Sequence, residues 1–143
     1  MLALYITLGV IALLAVIITV WIISTRNSFV RLRNNVEEAY STMDVCLKKR
    51  YDLIPNLVET VKGYAKHEKE TLDAVITARS KVSVAGNAED RAKAEGELTT
   101  TLRSLMVLTE NYPDLKANSN FTDLQNQLKT LEYEISNSRR YYN

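Results

Sequence analysis

The sequence predicts an all-α protein, in which a single N-terminal transmembrane helix continues into an antiparallel up-and-down bundle of about four long helices. Three observations carry this prediction. An uncharged apolar run opens the chain, and beyond it apolar residues recur at alternating spacings of three and four. Breakers are scarce, with two Pro and four Gly in 143 residues, and the alternation of a half-buried strand is absent.

The first element runs from Leu2 to Ile23. Roughly 22 uncharged, mostly apolar residues make about 33 Å of helix, against a hydrocarbon thickness of about 30 Å. Thr7 and Thr19 are expected to return their hydroxyls to the preceding turn, and Trp21 suits the water–lipid boundary. A cleaved secretory signal needs a basic start, a shorter apolar core and a small-x-small exit. Here no Lys or Arg precedes the run, and the exit reads Trp21-Ile22-Ile23-Ser24-Thr25-Arg26. Residues 1–25 are therefore assigned as an uncleaved anchor that meets the lipid bilayer through residues 2–23, and residues 26–143 as the helical bundle. Arg26, Arg31 and Arg33 follow the run, so the positive-inside rule places the bundle in the cytoplasm and the N-terminus outside, single-pass in a bacterial inner membrane.

Beyond the anchor about 118 residues remain, enough for one domain. Lys and Arg total 18 and Asp and Glu 17, a net charge of +1, which gives nucleic-acid binding no electrostatic support. The one cysteine, Cys46, excludes an internal disulfide framework.

Phe29, Leu32, Val36, Ala39, Met43, Leu47, Arg50 and Ile54 form a seam of period near 3.5, with no breaker between it and the membrane run. One long helix is the simplest reading. Pro55 predicts a kink or short break, with Asp52 able to cap a restart. A second helix then carries Leu57, Val61, Tyr64, Glu68, Leu72, Val75 or Ile76, Arg79 and Val82, and Gly86 is expected to end it in a left-handed cap. Asn87 caps a third helix, with Asp90 three residues on, and its seam is Leu98, Leu102, Leu105, Leu108 or Thr109, and Tyr112. Pro113 to Asn120 reads as a turn-rich connection. The fourth helix has the most regular heptad: Phe121, Leu124, Leu128, Leu131, Ile135, Ser138 and Tyr142.

The phrase Leu47-Lys48-Lys49-Arg50-Tyr51-Asp52-Leu53-Ile54-Pro55-Asn56-Leu57-Val58 resembles the signature of the LemA family, as do Gly63-Tyr64-Ala65-Lys66-His67-Glu68 and Ala78-Arg79. Tyr112-Pro113-Asp114-Leu115-Lys116-Ala117-Asn118, then Phe121, Leu124-Gln125, Leu128, Glu132, Ile135, Arg139 and Tyr142-Asn143, is similar to the same family. The resemblance implies a bacterial membrane protein with one N-terminal transmembrane helix and an α-helical bundle. Some relatives are connected with organising intracellular membranes, and no enzymatic activity is established for the family. Members usually continue past the Tyr-Asn phrase with a further helical stretch and a tail, so this chain is either a short natural version or part of a longer protein.

No catalytic, cofactor or metal site is expected, and the chain is read as not an enzyme. Cys46 and His67 are the one possible thiol–imidazole pair, but nothing orients them, and Cys46 adjoins the seam positions Met43 and Leu47. A single histidine excludes paired Glu-x-x-His units and leaves Cys–His zinc sites short of ligands. Glu132 and Glu134, two apart on a helix, face different ways. Arg50, Glu68, Arg79 and Ser138 occupy seam positions, where polar groups either reach a rim or set register and partner choice. Lys48-Lys49-Arg50 lies about 33 Å beyond Arg26 on a straight helix, well past a Debye length of about 8 Å. The leading expectation is a membrane-anchored scaffold that forms a homo-oligomer through its helix seams, with Leu128, Leu131 and Ile135 as its self-association residues. The alternative is an adaptor or regulator of a membrane protein partner such as a protease.

Overall fold

The computed structural model describes residues 2–142; the seam position expected at Tyr142 falls on a side chain outside the described ones, as does Asn143. Five helices follow in order: α1 (Leu2–Tyr64), α2 (Lys69–Val84), α3 (Ala88–Thr109), α4 (Pro113–Lys116) and α5 (Ser119–Tyr142). α4 is a single turn with Pro113 in its first position, within the connection read as turn-rich. The four long helices run up, down, up and down, and no strand occurs among the described residues. Tyr51 meets Arg79, Lys81 meets Glu97, and Arg50 meets Glu132, which fixes each neighbouring pair as antiparallel.

α1 is one unbroken helix of 63 residues, about 94 Å long at 1.5 Å per residue. Its apolar window is long enough to cross a membrane and is 0 % buried by the rest of the chain. Thr7 Oγ1 donates to the Leu4 carbonyl at 2.9 Å and Thr19 Oγ1 to the Ala15 carbonyl at 2.8 Å, as the sequence predicts. The first side chains that α1 shelters beyond Thr25 are Ala39 and Met43. Residues 26–38 therefore form an exposed stalk between the apolar run and the bundle.

The expected break at Pro55 is corrected by the structure. The helix continues unbroken through Pro55 and turns ten residues later, across Ala65–Glu68. The seam holds its phase on both sides of the proline, so Ile54, Leu57, Val58 and Val61 all reach the core. Asp52 caps nothing, because there is no restart. The second correction concerns Gly86. The chain leaves α2 through Ala85 in an extended conformation (φ −62°, ψ 117°) and enters α3 through an extended Asn87, and no glycine among the described residues has positive φ. Asn87 does cap α3, accepting from the Asp90 amide at 2.8 Å, and Asn118 caps α5, accepting from the Phe121 amide at 3.0 Å.

The core has two parts. The larger, distal from the apolar run, gathers Ile54, Leu57, Val61, Leu98, Leu105 and Phe121 with their neighbours. The smaller, proximal one joins Cys46 and Leu47 of α1 to Leu131 and Ile135 of α5. Leu128, Leu131 and Ile135, the residues expected to support self-association, are all buried within the chain.

The stalk's rigidity is testable. Spin labels at Ser24 and Lys48, 24 residues apart on α1, are expected to give one narrow distance near 36 Å, at 1.5 Å per residue. Inserting Gly-Gly-Ser after Thr25 should broaden that distribution; a broad one in the unmodified chain would contradict a single rod.

Candidate functional site

Between the two cores lies a charged layer centred on Arg50, which is 1 % exposed. Its Nη1 donates to Thr99 Oγ1 at 2.8 Å and to Glu132, and its Nη2 donates to Glu95. Thr99 in turn donates to the Glu95 carbonyl at 3.0 Å. Glu95 is 2 % exposed, whereas the Glu132 side chain keeps 40 % of its surface. Arg50 Nε is buried and makes no hydrogen bond among the described residues. One guanidinium thus holds α1, α3 and α5 at a single level, which its planar fork of donors can do and an ammonium cannot. Sliding α5 by one turn would put Leu128 or Ser136 opposite Arg50, so the layer ties helix register to charge pairing. The rim position considered for Arg50 is thereby corrected, and the basic cluster shrinks to the exposed Lys48 and Lys49.

The second polar seam residue, Arg79, explains how α1 survives its proline. Pro55 has no N–H to offer the carbonyl of Tyr51, four residues back. Arg79 Nε donates to that carbonyl at 3.1 Å, and its guanidinium lies 3.8 Å over the Tyr51 ring. A contact from α2 thus replaces the missing bond of α1. Arg79→Met is expected to cost on the order of 1 kcal/mol by leaving the Tyr51 carbonyl without this partner. Pro55→Ala should remove most of that penalty, since an alanine N–H can serve the same carbonyl. Equal penalties in both backgrounds, measured by denaturant unfolding, would contradict the substitution of one bond for the other.

Glu68 and Ser138 also have specific places. Glu68 accepts from the Tyr112 hydroxyl at 2.9 Å, tying the α1–α2 turn to the start of α4. That hydrogen bond to the carboxylate raises the Tyr112 pKa above its ordinary value of 10.0. Ser138 is buried where α5 meets α1. Cys46 lies in the proximal core and His67 on the exposed turn at the far tip. Eighteen helical residues between Cys46 and Tyr64 alone put them about 27 Å apart, so the structure does not bring the thiol and the imidazole together. Glu132 is engaged by Arg50 and forms no acid pair with Glu134.

Two features of the surface bear on function. On the stalk, Phe29 and Leu32 are 66 % and 59 % exposed, and Val36 continues the same stripe. Among the helices of the bundle, α3 and α5 leave a cleft of about 320 Å³.

An apolar helix long enough to cross a membrane, continuous with a helical bundle that holds a buried charged layer, defines an all-α class of protein. The description "LemA family" attaches to a family model that matches residues 39–143, beginning where α1 first gains a packing partner, and the chain belongs to that family. It is also 26 % identical over 122 residues to a protein named LemA from Metamycoplasma hominis, a match that covers 85 % of this chain. The chain spans 56 % of that relative's length.

Proposed function

We propose that this chain is a non-catalytic, membrane-anchored helical scaffold that organises membrane through self-association. The observation that carries the reading is the apolar stripe of Phe29, Leu32 and Val36. It lies on an exposed stalk and is continuous with an apolar run that no described residue covers. Chains anchored in one bilayer with one orientation project parallel stalks, so like faces meet like faces at low entropic cost. Arg26, Arg31 and Arg33 support a cytoplasmic bundle with the N-terminus outside, in a bacterial inner membrane.

Cysteine cross-linking in native membranes tests the interface. In a Cys46→Ala background, Leu32→Cys and Val36→Cys are expected to give disulfide-linked dimers. Asn34→Cys, about 140–160° away around the helix, should give few. Equal yields at all three positions would mean collision, not an interface. A second reading, an adaptor that recruits a membrane protein such as a protease, is favoured by the α3–α5 cleft.

A further inference from the structure

α3 and α5 approach each other less closely than α1 approaches α5 or α2 approaches α3. Their register follows from two contacts. Thr99 and Glu132 share Arg50 Nη1, and Gln125 Nε2 reaches Met106 Sδ at 3.7 Å. Midway between those levels, Arg103 of α3 and Lys129 of α5 line opposite sides of the cleft, over a floor of Leu102, Met106 and Leu128. Both cations are exposed, and neither forms an ion pair or hydrogen bond among the described residues. Elsewhere on the bundle, the exposed Lys81 and Arg91 are paired with Glu97 and Asp44, whereas Lys48 and Lys49 are, like Arg103 and Lys129, without an ion pair among the described residues. Glu132, the one carboxylate lining the cleft, is already held by Arg50.

We propose that this cleft is a docking site for an acidic amphipathic helix of a partner protein. The helix would lay an apolar side chain against the partly buried Met106, over the rims of Leu102 and Leu128, and offer carboxylates to Arg103 and Lys129. The charge pattern selects this occupant: an apolar floor between two facing, unpaired cations is complementary to apolar residues flanked by Asp or Glu. The cleft closes by the Gln125–Met106 contact, and a thioether is a weak acceptor, so opening it forfeits little. Lipid headgroups of the anchoring bilayer are out of reach. Arg50 already lies 27 residues beyond Ile23 on a straight helix, about 40 Å, several times a Debye length of about 8 Å. The site lies on the bundle, not on the stalk, so it stands or falls independently of self-association.

The probe is a displayed library of random twelve-residue peptides, selected against the full chain in nanodiscs. The expected winners carry two apolar residues at helical spacing flanked by Asp or Glu. Their affinity should fall on the order of tenfold for Arg103→Glu/Lys129→Glu and weaken with added salt. The Phe29→Ser/Leu32→Ser/Val36→Ser variant should bind them unchanged. Four results would overturn the proposal: no enrichment, neutral or basic winners, winners indifferent to the charge reversal, or a change of particle mass on charge reversal. The last would make a second copy of the chain the occupant.

Discussion

Replacing Arg50 with methionine is expected to destabilise the bundle by about 3–5 kcal/mol, the usual cost of removing one member of a buried ion pair. The loss is asymmetric across its partners. Glu132 is partly exposed and can turn to water, but Glu95 is 2 % exposed and would keep an uncompensated charge between two apolar cores. Arg50→Lys should also be costly, because one ammonium cannot hold Thr99, Glu95 and Glu132 in the geometry of a planar fork. Arg50→Met/Glu95→Leu is expected to recover most of the stability, since well-packed apolar replacements of a buried pair are often neutral or better. Guanidinium unfolding of the full chain in detergent measures all three. A double variant as unstable as Arg50→Met would mean that the layer contributes more than charge compensation.

The second large effect is on assembly. Phe29→Ser/Leu32→Ser/Val36→Ser removes the apolar stripe from an exposed stalk without touching either core. Exposed apolar surface of this kind is costly unless covered, and each large side chain buried in a contact contributes about 1.5–3 kcal/mol. Losing three from each protomer should convert an assembly to single chains at micromolar concentration. The bundle should keep its unfolding midpoint, because Phe29, Leu32 and Val36 belong to neither core. Sedimentation in mild detergent gives the mass, and an unchanged mass would move the interface elsewhere.

The elements were legible because each amphipathic helix repeats its apolar residues at helical spacing. Leu98, Leu102 and Leu105 on α3 and Phe121 to Ser138 on α5 are buried where the period puts them. The turn at Ala65–Glu68 was not legible, because the spacing Val61, Tyr64, Glu68 and Leu72 runs through it without a change of phase. Pro55 is a strong local signal, but its cost is met by Arg79, a residue on another helix, and local reasoning cannot see such a partner. Arg50 stood out as a charge in a seam, while Glu95 did not. It sits in the charged, alanine-rich start of α3, which reads as a solvated face. Leu115 was likewise hidden in a segment read as a connection, yet it is fully buried against the distal core. The α3–α5 cleft had no sequence signature, since it depends on how two helices are spaced and not on what either contains.

On the proposed reading, the rod and its bundle assemble with copies of themselves at a membrane. The most direct measurement is the mass and composition of the particle released from native membranes with its surrounding lipid. Self-association predicts several copies of this 16.2 kDa chain per particle, with or without a protein docked on the bundle, falling to one copy when Phe29, Leu32 and Val36 are replaced by serine. A particle containing one copy of the unmodified chain, alone or with one stoichiometric heterologous protein, would contradict it.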